Sequence, residues 1–162
     1  MFVDGTEQTG LIQKDEWNVE KTVLIPDTAA LIAVKCIDIG GVPGILASVE
    51  GSNDGNVVVV SDSGWKCSAV EQLGWQNPGF VVDMAYWQDA TEINDHGGKP
   101  WGYVGDISAA AKWIWTNRYT WTHDIDKTVY CRGVIGSRHD TTGTIIIKKM
   151  WKSFIIRIFI RV

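Results

Sequence analysis

Ile45-Leu46-Ala47-Ser48-Val49, then Ser52-Asn53-Asp54-Gly55, then Val57-Val58-Val59-Val60 is the stretch that decides the fold class. Two apolar, β-branched runs flank an Asp-Gly pair, which tolerates the positive φ of a tight turn, so the segment reads as a β-hairpin. The same signals continue outward. Thr22-Val23-Leu24-Ile25 reads as a short strand stopped by Pro26-Asp27. Leu31 to Ile37 reads as another, its alternation placing Ile32, Val34 and Cys36 on one face. Asp38 to Gly44 is glycine-rich loop, and Phe2-Val3 runs into a turn at Asp4-Gly5. Trp113-Ile114-Trp115 and Thr128 to Ile135 give the last strands of the body. The alanines between Ser108 and Lys112 suit a helical turn, but no long amphipathic helix is visible. The expectation is an all-β chain, an antiparallel β-sandwich.

The 162 residues suit one domain, or one domain and a tail, with enough chain for a real core. Residues 1–136 hold nine Lys/Arg against eighteen Asp/Glu, and residues 137–162 hold six against one; these balances of −9 and +5 make up the net −4. An acidic body argues against nucleic acid as the ligand, since phosphate binding needs a basic surface. No apolar run is long and charge-free enough to span a bilayer. The expected division is a body over 1–136 and a basic, apolar tail over 137–162. In the tail Ile156, Ile158, Ile160 and Val162 alternate with Arg157 and Arg161, which is strand periodicity. Three roles stay open for it: completing a sheet as an extra strand, docking on a partner, or none.

Cys67 and Cys131 lie in strand-like, aromatic-flanked motifs and are the expected disulfide, with Cys36 as a buried small hydrophobe. A disulfide implies an oxidising compartment. Met1-Phe2-Val3-Asp4-Gly5 is not a signal peptide, so the chain reads as a processed or recombinant piece of a secreted, extracellular protein. No Asn-X-Ser/Thr sequon supports secretion independently.

Nine tryptophans are the most distinctive part of the composition. Indoles serve either as core anchors or as flat surfaces on which the C–H face of a sugar packs. Trp121 is surrounded by polar residues in Thr116-Asn117-Arg118-Tyr119-Thr120-Trp121-Thr122-His123-Asp124 and is expected at the surface. Two loops combine aromatics with His and Asp: Glu92–Trp101, which supplies Asp95, His96 and Trp101, and Asn117–Asp124, which supplies Arg118, Trp121 and His123. If they converge, they form a site for a neutral or acidic sugar, with charged and amide groups gripping hydroxyls and an indole under the ring.

Each histidine neighbours an aspartate (Asp95-His96, His123-Asp124, His139-Asp140), but none has the spacing of a metal motif. If a metal is held, calcium fits the Asp-, Asn- and Gly-rich loops best. Glu50 to Gly55 begins like an EF-hand loop but has Ser61 where the closing acid belongs. Nucleophile-elbow and phosphate-cradling motifs are missing, and a catalytic role is not expected.

Trp65-Lys66-Cys67, Gly74-Trp75, Pro78-Gly79-Phe80, Asp83, Trp87, Ala90, Pro100-Trp101-Gly102, Ala111-Lys112-Trp113-Ile114-Trp115 and Thr128-Val129-Tyr130-Cys131-Arg132 together resemble the galactose-binding-like jelly roll. Such domains occur in extracellular invertebrate proteins, some beside rhamnose-binding lectin domains, and as accessory domains of bacterial glycosidases. The resemblance covers roughly residues 1–136. It departs where Phe80-Val81-Val82-Asp83-Met84 replaces the usual Phe-Asp-Asp-Ser. It implies a jelly-roll fold, in which Trp65, Trp87, Trp113 and Trp115 would stand at strand ends, mostly buried against the core, and an extracellular, non-catalytic, lectin-like module that binds glycans. The alternatives are a structural matrix or self-association module, a homo-oligomer through the tail or a sheet edge, and an accessory domain of a larger enzyme.

Overall fold

The structure, a computed structural model, describes residues 1–9, 21–38, 42–51, 56–119 and 126–136, and the backbone of 154–161. Every regular element among them is a strand, in two antiparallel sheets. The first sheet holds β1 (Phe2–Val3), β2 (Thr6–Glu7), β4 (Leu31–Ile37), β7 (Lys66–Ser68), β8 (Gln88–Asp89) and β11 (Thr128–Val134), in the order β2-β1-β4-β11-β7-β8. The second holds β3 (Lys21–Ile25), β5 (Gly44–Gly51), β9 (Thr91–Asp95), β10 (Lys112–Trp115) and β12 (Phe154–Arg161), in the order β3-β12-β5-β10-β9. β6 (Val57–Val60) pairs with β5, the hairpin expected from the sequence; its connection, 52–55, lies outside the described residues.

Alternation in the central strands produces one core shared by both sheets. Ile32, Val34 and Cys36 of β4, Val129 and Cys131 of β11 and Cys67 of β7 meet Ile45, Ala47 and Val49 of β5 and Ile114 of β10. The register pairs Cys131 directly with Cys67, and the disulfide joins them across the strands with Cα atoms 4.1 Å apart. Cys36 is a buried thiol outside that bond. At the chain's start, Asp4 (φ 47°) and Gly5 (φ 84°) both have positive φ, the type I′ geometry that suits the two-residue turn between β1 and β2.

The tail enters the same architecture. β12 lies between β3 and β5 and pairs along all of Gly44–Gly51. Its register sets Ile156, Ile158 and Ile160 opposite Val49, Ala47 and Ile45, the core-facing positions of β5.

Part of the second face of each sheet is covered as well, although Leu24 of β3 stays exposed. Residues 69–87, a run of tight turns, cover the outside of the first sheet with Trp75, Trp87, Phe80 and Val82, packed on Leu31, Ala33 and Tyr130. Residues 96–111 cover the outside of the second, where Trp101, Val104 and Ile107 meet Leu46 and Trp113. The alanine stretch contributes one turn, in which Ala111 N–H donates to Ser108 O. Among the described residues no helix is long and apolar enough to cross a membrane.

Candidate functional site

Four of the tryptophans serve the core, as expected of them. Trp65, Trp87, Trp113 and Trp115 are each at most 2% exposed. Gly133 exists for one of them: a Cβ there would lie 2.3 Å from Trp65 Cε2. The indole Nε1–H groups of Trp65 and Trp87 donate to Val60 O and Gln72 Oε1.

The first of the two expected loops begins as a strand. Glu92 to Asp95 belong to β9, an edge strand whose polar sequence hides its period, and only 96–101 is irregular. Strand geometry sends neighbouring side chains to opposite faces. Asp95 pairs with Lys112, its cross-strand partner, at 2.6 Å, and hydrogen bonding to Asp95 raises the Lys112 pKa. His96 turns the other way and is 8% exposed. Its Nε2 accepts from Val104 N–H at 2.9 Å, and its Nδ1 lies 3.1 Å from Ser108 O. An amide N–H only donates and a carbonyl only accepts, so the imidazole is neutral with its proton on Nδ1. His96 is therefore a clasp for the turn, with both ring nitrogens engaged inside the protein. Trp101 is half-buried, stacked on Trp113 at 4.5 Å, and its Nε1–H reaches Val42 O.

Of the second expected loop only Asn117–Tyr119 is described; 120–124, and with them the expected convergence of the two loops, lie outside the described residues. Lys112 lies opposite Asp95 and Trp115 opposite Thr91. The chain enters β10 beside Asp95 and leaves it beside Thr91, the residue before Glu92, where the first expected loop begins. Arg118 pairs with the buried Asp126 at 3.3 Å. Trp121 and His123 lie outside the described residues, as does His139.

What the turn does present is a residue that sequence reading passed over. Tyr103 is 79% exposed, yet its ring is not adrift. It packs edge-on against His96 at 5.2 Å and lies across Gly97, where a Cβ would come within 2.6 Å of the ring. Gly97 (φ 90°) and Gly102 (φ 68°) have left-handed backbones, and Gly97 N–H donates to Gly102 O while Gly98 N–H donates to Asp95 O. The result is a braced turn carrying an outward aromatic ring, with exposed Lys99 and Asp106 on the same segment. The sequence signal was Gly97-Gly98 and Gly102 close to Trp101 and Tyr103, glycines placed where a ring needs room.

A second polar cluster lies on the other side of the molecule and is structural. Tyr130 O–H donates to Glu71 Oε2 at 2.7 Å, and Lys35 Nζ sits 3.4 Å from the same oxygen. The Tyr130 hydroxyl, with help from Lys35, lowers the Glu71 pKa, while burial raises that of Tyr130. Arg132 lies under the Phe80 ring, donates to Asn77 O and Phe80 O, and has its pKa lowered by burial. These contacts fasten the 69–87 cover to the sheet. Among the described residues no three His, Cys, Asp or Glu side chains gather as a metal-binding group.

No protein-family model, curated protein or solved structure matches this chain.

Proposed function

We propose that this chain is an extracellular, non-catalytic carbohydrate-binding module, a jelly roll of the galactose-binding-like kind, and that it takes its sugar at the turn spanning 94–104. The observation that carries the reading is Tyr103: a large, outward-facing ring held by Gly97 and His96 on a hydrogen-bonded turn. A ring fixed before binding loses little entropy on contact with a ligand, which favours stacking against the C–H face of a sugar. Trp101, half-exposed beside it in sequence, extends the aromatic character, and Lys99 and Asp106 bring groups that bond to hydroxyls or a carboxylate. The buried disulfide fits an oxidising compartment.

The test is a glycan panel that includes neutral and acidic sugars, probed with the wild type and Tyr103→Ser, each with and without a chelator. Binding that Tyr103→Ser abolishes supports the reading, and loss with chelator adds calcium to it. Binding indifferent to Tyr103→Ser moves the site elsewhere, and a silent panel rejects the function.

A further inference from the structure

Large apolar side chains left in water are unremarkable one at a time; what matters is whether they gather. Among the described residues nine are exposed: Leu24, Ile37, Val70, Leu73, Val81, Met84, Tyr86, Tyr103 and Val134. Five of them, Val70, Leu73, Val81, Met84 and Tyr86, belong to the cover over the first sheet. Two more flank it. Ile37 alternates with Lys35, Ala33 and Leu31, and Val134 is the register partner of Leu31, so both stand on the covered outer face of that sheet. Seven of the nine thus lie on one side of the molecule. Leu73, at 102% exposure, and Val81, at 85%, have almost no protein contact of their own.

The charge on this side is equally distinctive. The cations are Lys35, Lys66 and Arg132, and the anions Glu7, Glu71, Asp83 and Asp89. Lys35 is paired with Glu71, Lys66 with Asp89, and Arg132 is buried. The balance is −1, whereas residues 1–136 together carry −9.

We infer that the outer side of the first sheet, built by residues 70–86 with Ile37 and Val134 at its ends, is a self-association surface whose occupant is a second copy of this chain. An acidic protein repels its own kind everywhere except where its charge is neutralised, and here the neutral side is also the apolar one. The cover and its two flanking residues approach the roughly 20 residues a side of an ordinary specific interface. Methionine and tyrosine, present as Met84 and Tyr86, are among the residues enriched in such interfaces. The same patch meeting itself gives a closed two-fold dimer. This leaves the Tyr103 turn, which lies over the other sheet, open in both copies.

Sedimentation velocity of the full chain from about 1 μM to about 1 mM tests the inference, that range covering weak to moderate association. The expected result is a reversible dimer, weakened about tenfold or more in the L73S/V81S/M84S variant. Leu73→Glu alone, at a fully exposed position, repeats the test should the triple variant fold poorly. The L24S/Y103S variant, which removes the two exposed apolar residues away from this side, should dimerise like wild type. Raising salt from about 50 to about 500 mM should change the dissociation constant by less than about threefold, because few unpaired charges meet. A chain monomeric throughout overturns the inference, and so does a dimer insensitive to both Leu73 variants. Monomeric wild type that binds phosphatidylcholine vesicles through these residues would overturn it in favour of a lipid surface.

Discussion

Replacing Cys67 and Cys131 together by alanine should destabilise the fold by about 4 kcal/mol. The bond closes a loop with a sequence separation of 64. For that length the chain-entropy relation gives roughly 14 cal/mol/K of restricted freedom in the unfolded chain, or about 4 kcal/mol at room temperature. The two strands already pair Cys67 with Cys131 in register, so removing the bond leaves the folded backbone a place to stay. The loss therefore falls mainly on the unfolded ensemble. For a chain of this size it should lower Tm by about 8–16 °C. Urea unfolding of C67A/C131A beside the wild type measures it. A loss below about 1 kcal/mol would refute the entropic argument. Cys36→Ala is the internal control: a small buried side chain is trimmed and no loop is opened, so about 1 kcal/mol is expected. Peptide mapping that found Cys36 in the bridge would refute the pairing outright.

Gly133→Ala should cost about 1–3 kcal/mol, because its methyl must displace the Trp65 indole, and a shifted near-UV circular dichroism band with lowered Tm would register it. An unchanged Tm would mean that the indole moves freely. Glu71, with its pKa lowered, contributes stability that is present above the ordinary carboxylate range and is lost as pH falls through the lowered value. Tyr130→Phe removes the main cause, so urea midpoints measured from about pH 3 to pH 6 should fall less steeply toward acid in the variant. Parallel curves would exclude Tyr130 as that cause. His96→Phe leaves the Val104 N–H and the Ser108 carbonyl without their partner, at about 1–3 kcal/mol. Amide exchange at Val104 should accelerate in that variant, and unchanged exchange would deny the clasp.

The strands were legible where one face is dry. Leu31–Ile37 alternates clearly enough to place Ile32, Val34 and Cys36 in the core, and the β5–β6 hairpin announces itself through its turn. The opposite face of β4 is buried too, by Leu31 and Ala33 under the 69–87 cover, and no local period reveals that a segment forty residues away will lie there. Glu92 to Asp95 read as loop because an edge strand tolerates polar residues at both parities. For the candidate site, Asp95, His96 and Trp101 were found by composition, but their roles depend on register. Strand alternation turns Asp95 and His96 to opposite faces, Asp95 to Lys112 and His96 inward to Val104 and Ser108. Tyr103 was missed because an exposed ring braced by glycines has no apolar pattern.

The most direct test of the account follows the backbone amide shifts of the isotope-labelled chain as the strongest-binding glycan of the panel is added. The account expects the largest changes within 94–104, centred on Tyr103 and Gly97, with saturation transferred from the tyrosine ring to the sugar's C–H protons. Changes confined to other segments, or none at saturating glycan, would contradict it.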